Sequence, residues 1–351
     1  MTPKSTCAEP PEVNRSPSAA SAHARSVLTR LQEQVAPYQR PVLHRSLWQL
    51  LTTFPPYLLL CYAMFESLSI SYWLTLALAL PATGFLVRIF IIQHDCGHGS
   101  FFKSRRANDL IGFIAGVLTF TPYYFWRHDH AVHHASSGDL ERRGVGDILL
   151  LTVEEYQRLS AWRKFTYRLF LNPLVLIGIL PTLKFVLGHR FAHRASARRE
   201  RHSVYSTNLA LLAIAALFAC SVGLQAYLLI QGPIIVLASS VGVWLFYVQH
   251  QFEGTYWSAH REWDYFSAAL SGSSYLKLPR VFQWFTASIG YHHVHHVNPR
   301  IPNYFLERCH REVPALQAVT TLTPSSTLRA LPVKLWHEKT GKLVDLKGIS
   351  A

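Results

Sequence analysis

The residues best suited to chemistry in this sequence are its histidines, 19 among 351 residues and strongly clustered. One cluster is His94-Asp95-Cys96-Gly97-His98. A second is His130-Ala131-Val132-His133-His134, and a third is His292-His293-Val294-His295-His296. The later two share the pattern H-x-x-H-H. On a helix, positions i, i+3 and i+4 lie on one face with Cβ atoms about 5–6 Å apart. Each cluster can therefore aim two or three imidazoles at one ion or at an adjacent pair. Packed together, so many like groups would repel one another on protonation, and metal coordination is the simplest compensation. His250, just past an apolar run ending at Val248, is a ninth candidate ligand, its alternative being an interfacial histidine. Nine imidazoles exceed what one tetrahedral zinc takes. Two ions sharing them, each with an open position, suit a pair of irons that activates O2.

The remaining histidines read differently. His23, His44, His202, His260, His310 and His337 stand singly and are expected to be surface or satisfied residues. His189 and His193 are four apart but lie in an arginine-rich stretch, which favours lipid headgroup contact over metal.

The elements that must position these ligands are apolar. Leu47–Phe65, Tyr72–Val87 continuing through Ile89–Ile92, Asn208–Ile230 and Pro233–Val248 contain no Asp, Glu or Lys. A helix needs about 20 such residues to cross a bilayer. Ser67–Ser71 joins the first two runs, and Gln231–Gly232 with Pro233 joins the others, so two transmembrane hairpins are predicted. Neither connection carries Lys or Arg, whereas the N-terminal region and the segment between hairpins are rich in both. The positive-inside rule then puts both termini and the central segment in the cytoplasm. Leu110–Trp126 and Leu169–Leu183 are flanked by basic residues on each side and are expected to lie in the interface or re-enter. Four crossings put all three clusters on one side. A fifth, at Leu169–Leu183, would separate the third cluster from the others. Gly112 and Gly116 have the G-x-x-x-G spacing that admits a close neighbour, or one that arises by coincidence.

Composition agrees. Half of the residues are hydrophobic and 15% are charged, against about 25% charged in soluble domains. With 20 Phe, 16 Tyr and 9 Trp, the chain as a whole is not disordered. Five scattered cysteines exclude a disulfide scaffold. The net charge of +14 fits membrane topology and anionic headgroups; no basic helix or aromatic platform accompanies it, so no nucleic-acid partner is expected. Residues 1–24 have no apolar core for a secretory signal. The expected organisation is a disordered or amphipathic N-terminal tail over 1–44, a membrane domain over 45–315, and a cytoplasmic C-terminal tail over 316–351. The fold class is an all-α integral membrane protein. Four transmembrane helices in two hairpins carry a cytoplasmic helical cap that holds the histidine-rich site.

Three runs now carry a family resemblance: H-D-C-G-H-G-S-F-F at 94–102, W-R-H-D-H-A-V-H-H-A at 126–135, and Y-H-H-V-H-H-V-N-P-R-I-P-N-Y at 291–304. Together with Q-H-Q-F-E at 249–253, they resemble bacterial membrane fatty acid desaturases, over about residues 45–315. The resemblance is to acyl-lipid desaturases of the omega-6/delta-12 type. It implies a di-iron centre of two iron ions (Fe2+/Fe3+) bound by His94, His98, His130, His133, His134, His292, His295 and His296, with His250 matching an additional ligand. His128 and His293 fall beside the ligand positions. Val297 stands where many relatives have Leu. His292 stands where front-end desaturases carry Gln, which disfavours that subgroup. Asp95 and Glu253 are candidates to orient imidazoles, or to serve as surface or helix-capping residues.

The implied activity is O2-dependent desaturation in the bacterial cytoplasmic membrane. Two hydrogens leave neighbouring methylenes of a fatty acyl chain, O2 leaves as water, and a cis double bond remains. The acyl group is carried on a lipid, CoA or a carrier protein. Tyr123, Tyr124, Phe125 and Trp126 line the acyl tunnel or form an interfacial aromatic belt. The sequence has no strand-borne G-x-G-x-x-G, no C-x-x-C and no H-P-G-G, so electrons are expected from a separate donor such as ferredoxin. A lipid hydroxylase or carotenoid oxygenase would use the same site. A metal transporter is the rival of another class, and it would bury its ligands near mid-membrane rather than beyond the ends of the spans.

Overall fold

The computed structural model describes residues 29–147, 149–331 and 333–346. His23 and most of the expected N-terminal tail lie outside them. The described chain is mostly helical, and its longest elements pack side by side. Helix α1 is Leu43–Leu51, α2 Phe54–Ser67, α3 Tyr72–His98, α4 Arg105–Leu118 and α5 Tyr123–Ser136. After Ala161–Phe170 (α6) the chain makes a π-helical stretch, Leu174–Ile179, and then α7, Leu180–Val186. Helices α8, Arg198–Ser221, and α9, Leu224–His250, follow. Three short helices close the domain: α10 Arg280–Phe285, α11 His292–Val297 and α12 Asn303–Glu312.

Helices α3, α8 and α9 are each long and apolar enough to cross a membrane. The 27 residues of α3 or α9 reach about 40 Å at about 1.5 Å per residue, more than a hydrocarbon core of about 30 Å. Helix α3 packs against α2, α4 and α9. It ends at Gly99, whose left-handed φ of 69° lets the Gly99 and Ser100 amides turn back onto the Cys96 and Asp95 carbonyls. That stop leaves His94 and His98 in its last two turns. Helix α9 ends on His250, so both helices deliver histidine at the end of an apolar run.

The expected first span, Leu47–Phe65, is divided at Thr52–Thr53 into α1 and α2. Pro55 and Pro56 fit a first helical turn, where no amide is needed, and not an interior. Helix α1 is also inside out: Ser46 and Gln49 are buried, while Leu43, Leu47, Trp48 and Leu51 are exposed. That distribution suits a helix lying in the membrane interface. The second connection is displaced as well. The chain breaks at Val222–Gly223, where Gly223 has φ 94°, and not at Gln231–Pro233. Pro233 sits inside α9, and the Leu229 carbonyl that its missing amide frees accepts from the Tyr72 hydroxyl at 3.4 Å.

Both weaker apolar stretches are broken. Leu110–Trp126 is shared by α4 and α5, which turn at Thr119–Pro122. Gly112 and Gly116 serve that turn: a Cβ on Gly112 would lie 2.3 Å from the Tyr123 ring, and one on Gly116 2.5 Å from the Thr121 carbonyl. Leu169–Leu183 bends by 59° between α6 and the helical run Leu174–Arg190. The segment expected as a C-terminal tail is folded in its described part. Strands Val333–His337 (β4) and Lys342–Asp345 (β5) form an antiparallel hairpin, and β4 pairs in parallel with Leu151–Thr152 (β1), Leu151 opposite Leu335. Tyr275–Leu276 (β2) and Thr321–Leu322 (β3) make a second parallel pair.

Candidate metal centre

Nine histidines from α3, α5, α9 and α11 converge at the ends of α3 and α9 in two adjoining groups. His94, His98, His130, His134 and His295 form one, and His133, His250, His292 and His296 the other. Within each group the candidate ligand nitrogens lie within 4.8 Å of one another. The two groups touch where the His134 and His296 rings stack at 4.3 Å. The division follows helical geometry rather than the sequence clusters. His130 and His134 are four apart and share a face, as do His292 and His296, whereas His133 and His295 point to the opposite group from their neighbours.

Neighbouring polar groups fix several tautomers. His250 Nδ1 donates to the Gly272 carbonyl at 3.0 Å, and a carbonyl can only accept. His133 Nδ1 donates to Asp147 at 2.5 Å. A neutral imidazole, the form that binds metal, carries one N–H, so in that form Nε2 of both rings is a bare lone pair. These two lone pairs face each other at 3.2 Å. Such an approach is repulsive, and a cation shared between them converts it into coordination. His98 Nε2 is buried and without a hydrogen-bond partner. Burial, followed by the neighbouring imidazoles, holds His130, His134, His292, His295 and His296 well below the ordinary histidine pKa. They are neutral, the form that binds metal. The donor set therefore fits one metal ion in each group.

The orienting groups reach far along the chain. Asp95 Oδ1 accepts from His94 Nδ1 at 3.1 Å, while Oδ2 accepts from the backbone amide and side-chain amide of Asn303. Asn303 is in turn paired with Gln49 on the buried face of α1. Asp95 thus orients an imidazole, whereas Glu253 is exposed. Asp147 reaches His133 because Gly146 lets the loop pass. Gly146 has φ 73°, and a Cβ there would lie 2.8 Å from the Asp129 carbonyl. Sequence reasoning missed Asp147, Gln49, Asn303 and the Gly272 carbonyl. The G-V-G-D run at 144–147 is the one local signal that could have pointed to Asp147.

Other histidines sit apart from both groups. His293 turns away, its Nε2 3.1 Å from His310 Nδ1, and His128 is exposed beside Glu200. His189 is buried against Phe125 and Phe185, which corrects the expected headgroup contact, while His193 is exposed. His260 does not stand alone. Its Nδ1 lies 2.6 Å from Asp139, and its backbone amide donates to Glu141, tying down the loop that leads to Asp147. Of the four aromatics at 123–126, Tyr123 is buried and donates to the Cys96 carbonyl, Tyr124 lies under Arg199, and Phe125 packs on His189. Trp126 alone meets the ligands, stacked on His130 at 4.6 Å.

Comparison with known proteins gives these groups a family. The fatty acid desaturase family matches residues 71–323. A fatty acid desaturase of Bacillus subtilis (strain 168) is 47% identical, over 93% of this chain and 92% of its own length. An sn-1 oleoyl-lipid 12-desaturase of Synechocystis sp. is 29% identical, covering 64% of each chain. A Delta(12)-fatty-acid desaturase of Arabidopsis thaliana is 27% identical, over 62% of this chain and 60% of its own. The chain thus spans nearly all of the Bacillus protein and less than two thirds of the other two. On the family match and the Bacillus similarity, the chain belongs to the fatty acid desaturases.

Proposed function

We propose that this chain is a membrane fatty acyl desaturase, with residues 45–315 as its catalytic unit, that inserts a cis double bond at a di-iron centre using O2 and two electrons from a separate donor such as ferredoxin. The observation that carries the proposal is the convergence of nine histidines into two adjoining groups at the ends of apolar helices, in a chain of this family. Bound iron supplies the capacity to activate O2 and remove hydrogen from an unactivated methylene. The protein contributes geometry. His94, His98, His130, His134 and His295 hold one ion, and His133, His250, His292 and His296 the other. Asp95, Asp147 and the Gly272 carbonyl hold the outer nitrogens of His94, His133 and His250, keeping the inner nitrogens bare. Burial of the histidines keeps bulk water away.

Helices α3, α8 and α9 are each long enough to span, and α2, with 14 residues, needs the turn at 68–70 to complete a crossing beside α3. Four crossings by these helices would place both termini and the metal centre on the cytoplasmic side, with the bent α6–α7 segment re-entering. This rests on the arginine-rich segment between α3 and α8 and on connections at 68–71 and 222–223 without Lys or Arg. Expression in a desaturase-deficient host, with lipid profiling and iron determination, tests the activity. The expected result is an acyl product with one added cis double bond and about two irons per chain. A purified protein active with zinc alone, or one that inserts oxygen instead of a double bond, overturns it.

A further inference from the structure

An apolar cavity of about 370 Å3 opens between α2 and α8, within the range of about 300–1,000 Å3 usual for small-molecule sites. These two helices pack elsewhere, α2 on α3 and α9, and α8 on α4, α5 and α9. Of the three long spans, α8 is also the one least buried by the protein. Along α8 the lining runs from Leu211 to Val222, about 16 Å at about 1.5 Å per residue. Phe65 and Tyr227 lie with Val222, and Leu118 and Phe120 with Leu211. None of the nine histidines takes part. Behind Phe120, the buried Thr119 and Thr121 close onto Gln93, Thr119 Oγ1 donating to Gln93 Oε1 at 2.7 Å.

One polar group faces this space. Gln231, inside α9, donates from Nε2 to the Tyr57 hydroxyl at 2.9 Å. That hydroxyl is the only hydrogen-bond partner of its side chain among the described residues. An amide offers two N–H donors and a carbonyl, so much of its capacity is left for an occupant of the cavity. In hydrocarbon such a group is costly unless paired, and polar residues at this depth mark ligand contacts. Tyr72 gives the depth, because its hydroxyl reaches the Leu229 carbonyl at 3.4 Å, with the exposed Trp73 beside it. Such aromatic residues sit at headgroup level. Gln231 is about 3 Å further in along α9, where ester carbonyls join the headgroup of a bilayer lipid to its chains. An ester placed there accepts from Gln231 while its acyl chain runs toward Phe120.

We propose that this cavity binds one glycerophospholipid of the non-cytoplasmic leaflet, its ester carbonyl on Gln231 Nε2 and one acyl chain between α2 and α8. The lipid is a resident one, separate from the chain that reacts at the metal centre. Its inner end supports the turn at Thr119–Pro122, from which α5 rises with His130, His133 and His134. The leaflet rests on the four-crossing reading above, whereas the cavity and its amide do not.

The test uses the full chain without metal. Phospholipids carrying a diazirine either beside the ester or at the chain terminus are photolysed with it. The first probe is expected to mark Phe65, Val222 and Tyr227, and the second Leu118, Phe120 and Leu211. Excess unlabelled phospholipid suppresses both, and free fatty acid does not. Gln231→Leu is expected to weaken binding about 3–10-fold, and Leu211→Trp, which fills the cavity, to abolish labelling. Leu212→Trp, at an exposed position outside the lining, leaves it unchanged. Labelling that misses these residues, that is reversed between the probes, or that free fatty acid displaces as readily as phospholipid overturns the proposal. So does conversion of the resident lipid. With iron-loaded protein, O2 and electrons, lipid retained through purification is expected to carry no new double bond, and a desaturated one would make the cavity part of the substrate path. A wild-type chain that binds iron and desaturates nothing ends the function reading alone, since the labelling needs neither iron nor turnover.

Discussion

Asp147 accepts the Nδ1 proton of His133 at 2.5 Å, from a loop that Gly146 alone allows to come so close. The contact determines which nitrogen of His133 faces the centre. Asp147→Ala is expected to lower metal affinity about 10–100-fold, as losses of ligand-orienting partners do. Glu253→Ala, at an exposed carboxylate, changes nothing. Metal titration followed by elemental analysis measures both.

Histidines inside and outside the two groups separate cleanly. His133→Ala and His295→Ala each remove a donor from the middle of an H-x-x-H-H helix, and both iron and product are expected to be lost together. His337→Ala, at a ring whose Nδ1 bonds Thr340 away from both groups, leaves both intact. His293→Ala empties a fully buried position and removes a hydrogen bond from the half-buried His310. It is expected to cost about 1–3 kcal/mol of stability while the ligands stay in place. Thermal unfolding beside iron content distinguishes these three outcomes.

His260 gives an intermediate case. Its contacts with Asp139 and Glu141 hold the loop that ends at Asp147, and it belongs to neither histidine group. His260→Ala is expected to weaken iron retention partially, and by no more than Asp147→Ala. Equal losses for the two variants would show that the loop, and not the carboxylate, governs the site. Iron release to a chelator over time is the measurement.

The nine histidines were legible because helical spacing is written in sequence, and the apolar runs beside them set one level for all. Their partners were not. Gln49, Asn303 and Asp95 meet only after α1 and α12 fold against α3, and a backbone carbonyl such as that of Gly272 has no residue signature at all. Prolines misled in both directions. Pro233 suggested a turn and lies within α9, because Tyr72 takes up the carbonyl it frees. Pro55 and Pro56 were passed over inside an apolar run, and they start a helix.

The proposed topology has a direct test at the two connections. A cysteine placed at Ser69 and one at Gly223 are expected to react with an impermeant label from the same, non-cytoplasmic side. One at Lys103 reacts from the cytoplasm. Labelling of Ser69 and Gly223 from opposite sides would remove the four-crossing arrangement.

Close packing beneath α5 gives a further expectation. A methyl group on Gly112 meets the Tyr123 ring at 2.3 Å, so Gly112→Ala must push back the start of the helix that carries His130, His133 and His134. Overpacking of this kind costs about 1–3 kcal/mol. Iron content is expected to fall with thermal stability, although residue 112 touches no ligand.

His133 and His134 are consecutive residues that serve different groups, and α11 divides its histidines in the same way. Neither group can be assembled without ordering backbone on which the other depends. If each group takes an ion, loading is expected to be collective, because an ion bound in one group would hold the α5 and α11 backbone that carries ligands of the other. Counted molecule by molecule in native mass spectra, a half-loaded population should be sparse, with empty and doubly filled chains dominating at every stage of the titration.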